Sequence, residues 1–192
     1  MRLLESVVVI TGASGGIGLE LAEQLCAAGA QVLAVSRHMG KLAGLMNRYP
    51  DRLRWQEADL RSQLGREQVV SRAREMGNVN VLINAAGVNR FALLDQLDEH
   101  ALDELLDINL KAPLQLTRAC LPLLCAQPKA LVHSHPSPGH WIRQALSTCV
   151  TCSSAGHRSS TSYPRINVLT PSRSWRVTRR PSFISTPVHQ SH

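Results

Sequence analysis

The chain has 192 residues, enough for one well-cored domain, and a formal net charge of +7. That charge is uneven: all 14 acidic residues lie at or before Asp107, while beyond Lys129 there are seven Arg, no Lys and no acid, so a neutral body with a basic tail replaces the basic folded face of a nucleic-acid-binding domain. An odd number of Cys, 5, argues against a disulfide framework, and no stretch reaches the ~18 apolar residues of a membrane helix, so a cytoplasmic protein without a membrane span is expected.

Residues 6–10 form a β-branched run, the pattern of a strand buried on both faces. It leads straight into a glycine turn, so MRLLESVVVI reads as a first strand rather than a leader. Residues 17–28 have helical spacing, with Ile17, Leu21, Leu25 and Ala28 on one side and Gly29 as the stop. A strand at 31–36, a helix at 39–49 ended by Pro50, and a strand with mixed faces at 53–58 follow. Next come a charged amphipathic helix at 63–76 and a strand at 80–84. Residues 98–107 and 109–125 read as two separate helices. Pro113 is tolerated near the start of the second, and Pro122 is expected to kink or shorten its end. Residues 130–133 begin a fifth strand.

The alternation of strand and helix specifies an α/β fold with a parallel sheet. It stops beyond His133; the stretch after Lys129 holds 13 Ser, six Pro and six of the chain's His 8. Such composition buries little apolar area. The expected organisation is therefore a domain over 1–133 and an irregular, poorly ordered basic tail over 134–192.

The turn Thr11-Gly12-Ala13-Ser14-Gly15-Gly16-Ile17-Gly18 has the form T-G-x-x-x-G-x-G between a strand and a helix. Gly12 permits a tight exit from the strand. Gly16 lets the backbone approach a pyrophosphate, and Gly18 lets the helix pack closely on the strand. Asp59-Leu60 follows strand three, where the carboxylate can accept from an adenine amino group. Asn84-Ala85-Ala86-Gly87 follows strand four, where small residues let the backbone run beside a cofactor. Asn109 stands at a helix boundary.

This order and spacing resembles the short-chain dehydrogenase/reductase family over about residues 5–133. The resemblance implies a Rossmann-type doubly wound parallel sheet, here truncated after about strand five, that binds NAD(H) or NADP(H) across its strand ends. It implies cofactor contacts from Thr11, Gly12, Ser14, Gly16, Ile17 and Gly18, from Asp59 and Leu60, and from Asn84, Ala85, Ala86 and Gly87. Asn109 supports the proton relay in the family. Strand two ends in Ser36-Arg37, with Lys41 a turn later, where an NAD site would place an acid. A guanidinium can pair with a 2′-phosphate, so Arg37 points to NADP(H) over NAD(H).

The family's chemistry also needs a Tyr, a Lys four residues later, and an upstream Ser. This chain has Tyr 2, at 49 and 163, and neither precedes Lys at that spacing; its Lys residues are 41, 111 and 129. Ser134 and Ser137 lie near the place of the orienting Ser. Cys149 and Ser153 stand near the places of the Tyr and Lys, and can replace neither. Cys149-x-x-Cys152 with His157 lacks the second ligand pair of a zinc site. Arg173 to Arg180 reads as a solvated run rather than a phosphate or lipid contact. The stretch after His133 has the composition of coding DNA read out of frame. Read one base later, the codons of His140-Trp141-Ile142 give Gly in the middle.

Three readings follow. The first is a reductase or dehydrogenase of small carbonyls or alcohols, impaired as written. The second is a non-catalytic NADP(H)-binding protein. The third is an unstable product of a frameshifted or alternatively spliced gene, its family dimer face incomplete. No nucleic-acid partner is expected.

Overall fold

The computed structural model describes residues 3–134. A 3-10 turn, Leu3–Glu5, precedes strand β1, Val7–Thr11. Then follow α1 (Gly16–Ala27), β2 (Gln31–Ser36), α2 (Leu42–Arg48), β3 (Leu53–Glu57), α3 (Gln63–Met76) and β4 (Val79–Asn84). Helix α4 (Glu99–Leu106), a π turn (Asp107–Lys111), α5 (Ala112–Cys125) and β5 (Leu131–Ser134) complete the described chain. All strand pairs are parallel, in the order β3-β2-β1-β4-β5. The expected doubly wound, Rossmann-type sheet is what forms, with β5 the last described strand.

Strand alternation puts a core on each face. Val7, Val9, Leu33, Val35 and Leu82 pack with Val69 and Ala73 of α3 and with Leu116, Cys120 and Leu124 of α5. Val8, Ile10, Val32, Ala34 and Ile83 pack with Ala22 and Cys26 of α1 and with Leu42 and Leu45 of α2. Two-sided burial explains why β1 and β2 read as continuous apolar runs rather than alternating ones. In β4 the register shifts between Val7 and Val8 of its partner, and the side chain of Asn80 accepts from Val7 N–H at 3.1 Å. The irregularity sends Val79 to one core and Val81 to the other.

Three expectations need correction. The most buried face of helix α1 is not the one carrying Ile17, which is 55% exposed: Gly18, Ala22 and Cys26 are buried, while Leu21 and Leu25 pack half-buried against the same core. At Gly18 the helix approaches the β1 turn too closely for any side chain, since a Cβ there would overlap the Gly12 carbonyl oxygen. Gly29 closes α1 as expected, with φ +94. Its N–H bonds to Cys26 O at 3.0 Å, and Ala30 N–H bonds to Leu25 O at 3.0 Å, a Schellman closure.

The two helices expected around Asn109 are one uninterrupted helical run, so Asn109 lies inside a π turn rather than at a helix boundary. Residues 107–111 contain no Gly or Pro to stop the run. Pro113 has no N–H and its ring crowds the carbonyl four residues earlier, that of Asn109, and the turn just before it is the widened one. Pro122 does not shorten α5, which continues to Cys125. Both Pro122 and Arg118, whose carbonyl it leaves without a helical donor, are exposed, so water can satisfy that carbonyl.

Candidate functional site

In the strand order, β1 has β2 on one side and β4 on the other, so the chain reverses direction across the sheet at β1/β4. Loops leaving the carboxyl ends of these two strands diverge and leave a crevice. A cleft of about 520 Å³ occupies that place. The turn from β1 to α1 forms its floor, through Gly12, Ser14, Gly15, Gly16, Ile17 and Gly18. The end of β2 adds Val35, Ser36, Arg37 and His38. The end of β3 adds Ala58, Asp59 and Leu60, and the end of β4 adds Ala85, Ala86, Gly87 and Val88, with Ile108 from the π turn.

The glycines of the turn do different work. Gly12 has φ +68, and a Cβ there would stand 2.7 Å from the backbone of Ala86. A Cβ on Gly18 would overlap the carbonyl oxygen of Gly12. Gly16 is unlike both: a Cβ there meets nothing within 4 Å, so its surface is open to the cleft. Gly15 caps α1 in extended backbone without a side-chain cap. The N–H groups of Gly16, Ile17 and Gly18, in the first helical turn, thus end α1 with uncompensated positive charge.

Several expected residues act from behind the cleft. Thr11 is buried and does not line it; its hydroxyl oxygen accepts from the N–H groups of Ala85 and Ala86, both at 3.1 Å. It thereby ties the β4 exit to β1. Asn84 is also buried, and its amide donates to Thr117 Oγ1 and Ser134 Oγ, both at 3.2 Å. Ser134 therefore faces the interior beside Asn84. The amide oxygen of Asn84 has no partner among the described residues. Asn109 grips the backbone of Val88 in both directions, accepting from its N–H at 3.0 Å and donating to its carbonyl at 2.8 Å. A Cβ on Gly87 would lie 3.1 Å from the Asn109 amide oxygen, so glycine is what lets this clamp sit so close.

The cationic and anionic lining groups meet at the β2 and β3 ends. Ser36 accepts from Trp55 Nε1 at 3.0 Å and donates to the His38 carbonyl at 2.7 Å, which fixes the turn that carries Arg37. Arg37 has no hydrogen-bond or ion-pair partner among the described residues. Asp59 is engaged by Arg61: Oδ1 accepts from the Arg61 backbone N–H and Nε, and Oδ2 from Nε and from Nη2 at 2.7 Å. The Arg61 hydrogen bonds hold the Asp59 carboxyl below its ordinary range, and the charge of Arg37 adds to the effect.

Sequence reasoning missed Gly15, Val35, Ser36, His38, Ala58, Val88 and Ile108 as lining residues. Their only signal was adjacency to residues it did select. Ser137, Tyr163, the Cys149–Cys152 pair with His157, and the Arg173 to Arg180 stretch lie outside the described residues. Among those described, no group of His, Cys, Asp and Glu could hold a metal.

Residues 6–133 match the short chain dehydrogenase family. The chain is 32% identical over 136 residues to DltE, an uncharacterized oxidoreductase of Bacillus subtilis, covering 69% of this chain and 53% of that one. It is 33% identical over 132 residues to a cis-2,3-dihydrobiphenyl-2,3-diol dehydrogenase of Pseudomonas putida, covering 66% and 48%. A solved short-chain dehydrogenase from Streptomyces avermitilis superposes with a TM-score of 0.63 at 31% identity, covering 67% and 48%. An NADPH-bound carbonyl reductase from chicken fatty liver does so with a TM-score of 0.61 at 27% identity, covering 66% and 57%. The chain spans about half the length of the curated relatives it matches.

Proposed function

Because the chain belongs to the short chain dehydrogenase family, we propose that residues 1–133 bind NADP(H) in the β1/β4 cleft, and that the chain as written holds this cofactor without efficient turnover. The observation that carries the cofactor choice is Arg37, which lines the cleft at the end of β2 and has no ion-pair partner among the described residues. A phosphate on the ribose gives that guanidinium a bidentate partner, where a bare 2′-hydroxyl asks for a carboxylate. The rest of the lining fits a dinucleotide. Open glycine surface at Gly16 and the free N–H groups of the first turn of α1 suit a pyrophosphate. The small Ala85-Ala86-Gly87 wall leaves room for the nicotinamide half.

When bound, the reduced cofactor supplies a hydride, and the carbonyl oxygen that gains the electron pair then needs a proton from the protein. No Lys in the sequence stands four residues after either Tyr. Tyr49 ends α2, packed against the α1/α2 core, and is not in the cleft. Both polar ends of the Asn109 amide are committed to Val88. These residues supply binding and positioning, and they leave the proton step without its usual donor. Two measurements test the proposal. NADPH should bind the full chain with higher affinity than NADH, and Arg37→Ala should weaken NADPH about tenfold with little effect on NADH. A panel of carbonyl substrates should turn over no faster than the uncatalysed reaction; rates of an ordinary reductase would reject the second half of the proposal.

A further inference from the structure

Arg37 and Asp59 both line the cleft, one from the end of β2 and one just after β3, its neighbour in the sheet. Opposite charges so placed would ordinarily pair. That pairing would spoil a phosphate site in two ways: it would occupy the guanidinium and leave a carboxylate facing the phosphate. Neither happens here, because both oxygens of Asp59 are taken by Arg61, two residues on. The Arg61 backbone N–H adds a further bond to Oδ1 at 3.0 Å, which fixes the carboxylate toward Arg61.

Arg61 is itself absent from the cleft lining. Its position is held from the other side: its carbonyl accepts from Arg66 Nη1 at 2.8 Å, and the same Nη1 reaches the Leu60 carbonyl at 2.6 Å.

We propose that Arg61 is a positioning residue for cofactor choice: by neutralising Asp59 from outside the cleft, it keeps Arg37 free for the 2′-phosphate. This rests on the NADP(H) reading above.

The test is binding of NADPH and NADH to the full chain, followed by fluorescence, for wild type, Arg61→Ala, Arg61→Gln and the double variant Asp59→Asn/Arg61→Ala. Circular dichroism and a thermal melt accompany each. Arg61→Ala and Arg61→Gln should each weaken NADPH about fivefold and change NADH less than about twofold, as a freed carboxylate competes for Arg37 and repels the phosphate. Removing that carboxylate in the double variant should restore the wild-type preference, which a merely structural role for Arg61 would not do. The inference is overturned if both single variants keep the wild-type ratio while Arg37→Ala lowers it; in that case the NADP(H) reading stands. If the wild-type chain binds NADPH no more tightly than NADH, the underlying reading fails and this one falls with it.

Discussion

Gly16 and Gly18 stand two residues apart in one motif and face opposite demands. A Cβ on Gly18 collides with the Gly12 carbonyl, whereas one on Gly16 projects into the cleft. Gly18→Ala should therefore destabilise the fold by about 1–3 kcal/mol, read as a lower denaturation midpoint. Gly16→Ala should leave that midpoint unchanged and weaken NADPH binding instead. Equal effects on both would mean that the motif serves packing alone. Asp59 makes a different residue-scale prediction. Its folded pKa is depressed below 3.8, chiefly by hydrogen bonding to Arg61. The resulting stabilisation is fully present above the unfolded value and is lost as pH falls through the lower folded one. Asp59→Asn should lose that stabilisation at neutral pH and match wild type at low pH, which flattens the acid limb of the stability curve. Because the pair is more than a third exposed, the effect should stay within the ~0–1 kcal/mol of solvent-screened pairs.

Between elements, the cleft is held open by side chains that never enter it. Thr11 joins β1 to the exit of β4, and Asn109 joins the π turn to Val88. Thr11→Val keeps the shape of the side chain but orphans two N–H groups in a part-buried place. It should cost about 2 kcal/mol or more in a denaturant melt, far beyond the change in volume. A loss under about 0.5 kcal/mol would show that water replaces the hydroxyl there. The sequence contained this exit as Asn84 to Gly87 but not the jobs of its members. Asn84 reads in sequence as a cofactor contact, and in the fold its amide also spans β4, α5 and β5 through Thr117 and Ser134. Partners 33 and 50 residues away are invisible to local spacing. The π turn was hidden for a similar reason: Pro113 marks a disturbed helix start in sequence, and only the neighbouring chain makes an uninterrupted helix worth its cost.

Over the whole described molecule, one sheet separates two cores. Leu116 of α5 and Leu45 of α2 are buried on opposite faces and belong to different clusters. Each change to Ala should cost about 2–5 kcal/mol. The two costs should add within about 0.5 kcal/mol, because no side chain packs against both. Strong coupling in a double-mutant cycle would mean that the sheet transmits strain between its faces. No described helix is long and apolar enough to cross a membrane.

The amino-acid sequence by itself determined the alternation of strands and helices, the strand-turn-helix glycine motif and the cationic end of β2. These are local properties, written in backbone preference and in the two periods of burial. Helix α3 fell at Gln63–Met76 as its pattern required, since its Ser62 cap and charged face are both local. What only the tertiary structure decided was which residues of that motif line the cleft and which brace it. Thr11, Asn84 and Asn109 have polar groups that could serve a ligand or the protein, and in the fold each makes hydrogen bonds to distant parts of the chain. Arg37 was left available because a third residue, Arg61, claimed its natural partner, and that competition exists only once β2 and β3 lie side by side.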